Sequence, residues 1–186
     1  MATERIGVVG LGSWGTAVAN VFADAGAEVT LWGRDPLAVR ELQMAHRNEK
    51  YLKGIDLSSK LKATSDLEQL IDASSLIVCA VPTQQIRKVF DPFKAKLKKK
   101  HVLNVCKGIE IGTNQRVSEI FKELAPTARY SILSGPSFAQ ETAKRLPTAV
   151  TIASKDKKEV NRLQKLLATP YFRAYTATDV AGVEFA

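Results

Sequence analysis

Covalent and metal staples have little to work with in this chain of 186 residues. Cysteine occurs twice, at Cys79 and Cys106, each at the end of a short apolar run and without metal-ligand spacing. Both read as reduced core thiols, and no metal site is expected. No apolar run approaches the roughly 18 residues that a membrane span needs. The opening MATERIG lacks a basic segment followed by an apolar one and a cleavage site, so nothing marks secretion and a cytoplasmic setting is the expectation. Repeats, low-complexity segments and linkers are missing too. The one basic run, Lys94 to His101, has no aromatic interleaving, and no helix-turn-helix, zinc-finger or RNA-recognition pattern occurs elsewhere, so a nucleic-acid partner is not expected.

What remains is ordinary for a soluble globular protein: 45% hydrophobic and 25% charged residues, in a length that suits one domain with a real core. Basic residues outnumber acidic ones 27 to 19, and the net charge of +8 favours anionic partners through long-range attraction. The lysines from Lys94 to Lys100 read as a solvated helix end at the negative pole of its dipole.

Short apolar runs alternate with stretches of helical period, which predicts an α/β fold: a Rossmann-type, doubly wound, mostly parallel sheet with helices on both faces. Strands are expected at Arg5 to Val9, Glu28 to Trp32, Leu61 to Thr64, Leu76 to Val81, His101 to Cys106, Tyr130 to Leu133, Ala149 to Ala153 and Tyr171 to Tyr175. Helices are expected at Ser13 to Ala25, Pro36 to His46, after Asp66, Thr83 to Leu97, Val117 to Leu124 and Lys155 to Ala168. Asp35 is placed to cap the second of these, with Pro36 suited to its first turn.

Three glycines stand in the first strand-to-helix turn, Gly10-Leu11-Gly12-Ser13-Trp14-Gly15. In this context they form a dinucleotide-binding fingerprint. Gly10 permits the tight turn, Gly12 lets the backbone come against a pyrophosphate, and Gly15 lets the helix pack on its strand. The anion would rest on free amides at the helix N-terminus. About 20 residues on, an acid at the strand end favours NAD and an arginine accommodates the 2′-phosphate of NADP. The sequence there is Trp32-Gly33-Arg34-Asp35. Arg34 suits NADP, whereas Asp35 comes late and serves better as a cap. Adenine could also stack on that arginine, so the cofactor reads as NADP or NAD.

Three further stretches fall at the carboxyl ends of expected strands: Ala80-Val81-Pro82-Thr83-Gln84, Asn104-Val105-Cys106-Lys107-Gly108-Ile109-Glu110 and Leu133-Ser134-Gly135-Pro136-Ser137-Phe138-Ala139. Ligands bind at that edge in open α/β sheets. In order along the chain, GLGSWGTAVA, AVPTQ, CKGIE, SGPSFAQE, LPTAV and YTATDVAGVEFA resemble the NAD(P)-dependent glycerol-3-phosphate dehydrogenases of bacterial type. The resemblance implies interconversion of dihydroxyacetone phosphate and sn-glycerol 3-phosphate, which supplies the phospholipid backbone. It implies cofactor contacts from Ser13, Trp14, Arg34 and Ala139, a Lys107 that touches both cofactor and substrate, and Gly135 and Ser137 lining the substrate site. Asn48-Glu49-Lys50-Tyr51-Leu52-Lys53-Gly54 resembles a family loop near the cofactor, with Lys53 where a proline is usual. Lys107 is the candidate to stabilise and protonate the ketone oxygen.

The same resemblance implies a helical second domain, entered through TDVAGVEFA, that carries another catalytic lysine and clamps the substrate phosphate. Residues 1–180 are therefore expected to form the cofactor domain, with 181–186 opening the helix that leads onward. The chain alone is expected to bind cofactor, turn over little, and pair with a second copy through uncovered apolar surface. Two other readings compete: a different cofactor-linked dehydrogenase, such as a hydroxyacid or ketopantoate reductase, and a non-catalytic dinucleotide-binding module.

Overall fold

Strand β1, Arg5–Val9, carries four buried residues in a row after Arg5, the pattern of a strand covered on both faces. In this computed structural model, which describes residues 4–186, β1 lies inside an eight-stranded sheet. The first three residues of the expected domain lie outside the described residues.

The chain continues through α1 (Ser13–Asp24), β2 (Glu28–Trp32), α2 (Pro36–Ala45), β3 (Lys62–Thr64), α3 (Leu67–Ala73) and β4 (Leu76–Cys79). After β4 come α4 (Ile86–Phe90), α5 (Lys94–Leu97), β5 (His101–Asn104), α6 (Val117–Leu124) and β6 (Arg129–Ser134). The last elements are α7 (Ala139–Ala143), β7 (Thr148–Ala153), α8 (Lys157–Leu166), β8 (Phe172–Ala177) and α9 (Val180–Phe185). The strand order is β3-β2-β1-β4-β5-β6-β7-β8. The pairs from β3 through β6 are parallel, so the carboxyl ends of six strands share one edge, in the doubly wound order.

Side chains alternate between two cores. Ile6, Val8, Leu76, Val78 and Leu103 face α1, α2 and α8, whereas Val9, Ile77, Cys79 and Val102 face α3 to α6. Helix α1 is buried continuously from Gly15 to Ala23, which fits its alanine-rich sequence.

Two features depart from the sequence reading. The single helix expected over Thr83 to Leu97 is broken into α4 and α5 with a tight 3₁₀ turn at Asp91–Phe93 between them. Pro92 has no amide hydrogen to give the helical ladder and its ring crowds the preceding turn. Strand β7 pairs antiparallel with β6. A parallel return needs a crossover along the sheet, and the five-residue α7 instead packs beside α1. The lysines after Phe93 are also more than solvated ends. Lys96 pairs with Glu68 at 2.7 Å and Asp72 at 2.6 Å, and Lys100 donates to the Ser74 carbonyl at 2.6 Å, tying this segment to α3.

At the amino edge of the sheet, His101 is fully buried. Its Nε2 lies 2.8 Å from Ser131 Oγ and its Nδ1 lies 2.9 Å from Glu159. Burial pulls the imidazole pKa down to about 4, helped by Arg162 and Arg129, so the ring is neutral near pH 7. Glu159 also bonds Arg162 and Arg129, and Arg162 reaches Glu4.

Candidate functional site

Four helices begin with an aspartate cap. Asp35 accepts from Leu37 N, Asp66 from Gln69 N, Asp156 from Lys158 N and Asp179 from Gly182 N. Helix α1 has none. Its first internal bond runs from Thr16 N to Gly12 O at 3.0 Å, so the amides of Ser13, Trp14 and Gly15 point out of the first turn with no helical partner. The positive end of a buried helix is thus open to an anion.

The glycines before it have separate tasks. Gly10 sits at φ +130, and a Cβ there would meet the Ala80 carbonyl at 2.5 Å. A Cβ on Gly15 would come within 1.9 Å of Gly10 O and 2.9 Å of Ala80 Cβ. Both positions hold α1 against the ends of β1 and β4. A Cβ on Gly12 would meet nothing within 4 Å, and its φ of −78 and ψ of 178 suit any residue. The fold does not need a glycine there; a group lying against the backbone would.

In front of this turn opens a cleft of about 490 Å³. Gly10 and Gly12 form its floor, Trp32 to Asp35 one end, Ala80 to Pro82 with Gln85 one wall, and Lys50 with Tyr51 another. Arg34 is exposed at the rim. The carboxylate of Asp35 caps α2 at 3.1 Å and also takes a bond from Lys50 at 3.2 Å. The Lys50 bond holds its pKa below the ordinary carboxylate value, and Lys50 is raised in return. Uncapped amides, an open approach at Gly12 and cations at the far end fit a dinucleotide diphosphate with its ribose beyond.

The wall bearing Lys50 and Tyr51 is anchored by a residue to which sequence reasoning gave no role. Asn48 is fully buried. Its Nδ2 donates to Leu11 O at 3.2 Å and Thr16 Oγ1 at 2.8 Å, while its carbonyl accepts from Tyr51 N and Leu52 N. The loop after α2 is thereby fixed to the glycine turn. Its only sequence signal was the likeness of the whole loop to a family loop.

The expected substrate residues lie along the same sheet edge, outside the lining of the cleft. Trp14 sends its Nε1 across to Val105 O at 3.0 Å, linking the first turn of α1 to the segment that carries Lys107. Thr83 Oγ1 donates to Lys107 O at 2.8 Å, and Gln84 bonds Ile109 O and Ile111 N. The stretches AVPTQ and CKGIE are sewn together, leaving the Lys107 ammonium exposed and 3.3 Å from Ala186 O. Ser134 Oγ donates to that same carbonyl at 3.1 Å. Gly135 leaves β6 at φ +156, where a Cβ would press on Val150 Cα at 3.0 Å, and Ser137 N returns a bond to Gly135 O at 2.9 Å. Ala139 opens α7 and packs on the α1 side of the core.

Helix α9 reaches this edge because of Glu184, which the sequence reading did not single out within TDVAGVEFA. Its side chain is 5% exposed and accepts from Ser118 N at 2.7 Å, Ser118 Oγ at 2.6 Å, Tyr130 OH at 2.8 Å and Arg116 at 3.3 Å. Burial, then the Glu184 charge, pushes the Tyr130 hydroxyl well above its usual pKa. The two thiols, Cys79 and Cys106, lie behind the Lys107 segment with sulfurs in hydrogen-bond contact at 3.5 Å and not joined by a disulfide. Hydrogen bonding to Cys79 and burial raise the Cys106 thiol.

Comparison with known proteins bears on these residues. The family model described as the N-terminus of NAD-dependent glycerol-3-phosphate dehydrogenase matches residues 5–160. The chain belongs to this family. A glycerol-3-phosphate dehydrogenase of Carboxydothermus hydrogenoformans, named for NAD(P)+, is 40% identical over 99% of the chain and 56% of its own length. One from Myxococcus xanthus is 45% identical over 97% of the chain and 55% of its own length. The crystal structure of the family member from Coxiella burnetii, 32% identical, superposes with a TM-score of 0.91 and covers 98% of this chain and 56% of that one. The chain spans about half the length of the glycerol-3-phosphate dehydrogenases it matches.

Proposed function

We propose that this chain is the dinucleotide-binding part of a glycerol-3-phosphate dehydrogenase, interconverting dihydroxyacetone phosphate and sn-glycerol 3-phosphate for glycerophospholipid synthesis. The observation that carries the reading is the first turn of α1, three unpartnered amides facing a cleft across a glycine the fold itself does not require. A bound nicotinamide dinucleotide, NADP or NAD, supplies or accepts the hydride. The amides of Ser13, Trp14 and Gly15 hold its diphosphate, Gly10 and Gly15 keep the turn tight, and Gly12 lets the diphosphate approach. Arg34 receives the adenosine end, and Ala139 lies against the cofactor from α7.

Lys107 works at the reacting oxygen. As the ketone carbon receives hydride, charge grows on its oxygen. The exposed ammonium stabilises that charge and gives it a proton, and in the reverse direction the amine takes the hydroxyl proton back. Gly135 and Ser137 line the substrate side. Residues 1–180 form the cofactor domain, and α9 leads toward groups that clamp the substrate phosphate. Removing an acid–base partner typically costs about 10²–10⁴ in rate, so these 186 residues alone are expected to bind cofactor and turn over little.

A cytoplasmic setting and pairing of two copies belong to the same proposal. Two free thiols 3.5 Å apart suit a reducing compartment. Exposed Ile111, Phe138 and Phe185, 67% to 82% accessible, supply apolar contact surface.

Fluorescence titration of the purified chain with NADPH and NADH tests the reading. Saturable binding that free ADP-ribose competes away is expected, and absence of binding by either dinucleotide would overturn it. Reduction of dihydroxyacetone phosphate by the chain alone at an ordinary dehydrogenase rate would refute the division of labour.

A further inference from the structure

A second pocket, of about 620 Å³, opens between α6 and the first turn of α9. It lies at the amino edge of the sheet, beside the His101 cluster, and shares no residue with the dinucleotide cleft. We propose that this pocket seats a single amphipathic anion, an acyl chain ending in a phosphate or carboxylate, with the chain on the pocket floor and the head at Lys122 and Lys155. The inference goes beyond the dinucleotide reading and does not depend on it.

What the lining leaves unspent sets the chemistry of the ligand. Most of its uncharged polar groups are already paired. Tyr130 OH, Ser118 N and Ser118 Oγ donate to Glu184 at 2.8, 2.7 and 2.6 Å, and Ser154 Oγ donates to Tyr130 O at 2.9 Å. A sugar or a nucleobase needs donors and acceptors along its whole outline and would find few of them free. The floor is apolar instead. Val102, Phe121 and Ala125 are buried there, Ala128 is half-buried beside them, and Val180 and Ala181 close the pocket from α9. An apolar chain laid on this floor gains about 25 cal/mol per Å² removed from water.

Four cations and three carboxylates line the pocket, and five of these seven charges are engaged. Glu119 pairs with Arg116 at 2.8 Å, and Arg116 also reaches Glu184 at 3.3 Å. Arg129 is spent on Glu159 within the His101 cluster. Asp156 caps α8 by accepting from Lys158 N, and Asp179 caps α9 by accepting from Gly182 N. Lys122 and Lys155 remain, both exposed and with ammonium groups that have no partner among the described residues. They come from separate elements, α6 and the turn before α8, so both can give charge-assisted bonds to one head. Exposed Lys98 and Lys99 flank the same lining, since Thr127 Oγ1 donates to Lys98 O at 2.6 Å, and they draw anions toward the mouth. The exposed carboxylates of Asp156 and Asp179 select a single molecule from solution. A flat anionic bilayer would meet both of them and be repelled, whereas a narrow head meets the lysines.

The test is isothermal titration of the 186-residue chain with decyl phosphate and decanoate, each kept below the concentration at which it forms micelles. Inorganic phosphate and decanol serve as the two halves of the ligand. Decyl phosphate is expected to bind saturably, and each half to bind about tenfold more weakly or less, the scale of one charge-assisted bond or a few buried methylenes. Decanoate should follow decyl phosphate, and the binding of both should weaken as salt rises. Replacing Lys122 and Lys155 together by alanine should cost about tenfold or more, and Ala181→Trp, which fills the pocket, should abolish binding. NADPH affinity should stay within about twofold in every variant, because the sites are separate. Hydrogen exchange should slow at the end of α6 and the start of α9 when decyl phosphate is added. Equal binding of decanol and decyl phosphate, undiminished binding in the lysine variant, or no binding by the unaltered chain overturns the proposal and leaves the dinucleotide site standing. Sedimentation with vesicles of mixed phosphatidylglycerol and phosphatidylcholine, without binding of monomeric decyl phosphate, overturns it too and assigns the lysines to a bilayer. The lysines are exposed, so their variant should fold, as an unchanged melting temperature would verify; it decides the matter even where Ala181→Trp does not fold.

Discussion

Replacing Gly12 and Gly15 by alanine, one at a time, separates what the glycine turn does for the fold from what it does for a ligand. At Gly12 the new methyl meets no atom within 4 Å, and φ −78 is open to alanine. Alanine is a poorer helix cap than glycine but restricts the unfolded chain more, and the two effects oppose. Stability should change by less than about 1 kcal/mol, which at this chain length shifts the melting temperature by no more than about 4 °C. The methyl stands where a diphosphate must approach the amides of Ser13, Trp14 and Gly15. Forfeiting one charge-assisted hydrogen bond costs about 1.5–3 kcal/mol, so dinucleotide affinity should fall roughly 10- to 100-fold. At Gly15 the methyl would stand 1.9 Å from Gly10 O and 2.9 Å from Ala80 Cβ. Helix α1 must then move off its strand, with an overpacking cost of about 1–3 kcal/mol or more and a clear drop in melting temperature without any ligand. Thermal denaturation of the unliganded variants with NADPH titration of each supplies both readouts. Undiminished affinity in Gly12→Ala, or a melting temperature unmoved in Gly15→Ala, would refute the assignment of these two positions.

Asn48→Ala removes the donor shared by Leu11 O and Thr16 Oγ1, so it should cost about 1–3 kcal/mol in chemical denaturation and weaken dinucleotide binding in the same sample; stability loss with intact binding would show that the loop does not shape the cleft. The folded pKa of His101, about 4, lies below its ordinary 6.5, so between those values the unfolded chain binds the extra proton. That contribution is complete above about pH 6.5 and is lost as pH falls toward 4, on the order of 2–3 kcal/mol. Denaturation midpoints from pH 7.5 to 4.5 should decline more steeply than in His101→Gln, and identical slopes would rule the histidine out. Glu184→Ala leaves Tyr130 OH, Ser118 N and Ser118 Oγ without their acceptor, at about 1–3 kcal/mol per unsatisfied group. Hydrogen exchange should speed up across α9 and leave β1 unchanged, whereas uniform acceleration would make Glu184 a prop of the whole fold.

Local signals made half of this molecule readable in advance. The β1 turn and α1 are legible because every part of the signal lies within a few residues: a buried apolar run, three glycines, then alanines. The Asp35 and Asp66 caps are legible for the same reason, whereas the Asp156 cap fell inside the helix expected from Lys155. The break at Pro92 was equally local but was masked by helical apolar spacing on both sides. The direction of β7 depends on α7 docking against α1, a long-range contact that leaves no periodic trace in Gly135 to Pro147. The site residues without an assigned role are also the distant ones. Lys50 meets Asp35 across fifteen positions, and Glu184 meets Ser118 across sixty-six. Each side chain alone reads as an ordinary surface charge.

The two edges of the sheet divide structure from chemistry. At the amino edge the polar groups close on one another: His101 is bonded through both ring nitrogens, and Glu159 is shared between two arginines. Nothing is left there to receive a small ligand within the cluster. At the carboxyl edge the accounting is left open, with three amides of α1 lacking a helical partner, Arg34 lacking a partner among the described residues, and the exposed ammonium groups of Lys107 and Lys50 each held by a single hydrogen bond, to Ala186 O and Asp35. Six parallel strands end there together, so each open group starts from a rigid support while its tip remains available. Helix α9 joins the edges, capped by Asp179 near the closed end and locked by Glu184 on its way to the open one. The end of α9 thus lies beside Lys107 and Ser134, both of which donate to Ala186 O.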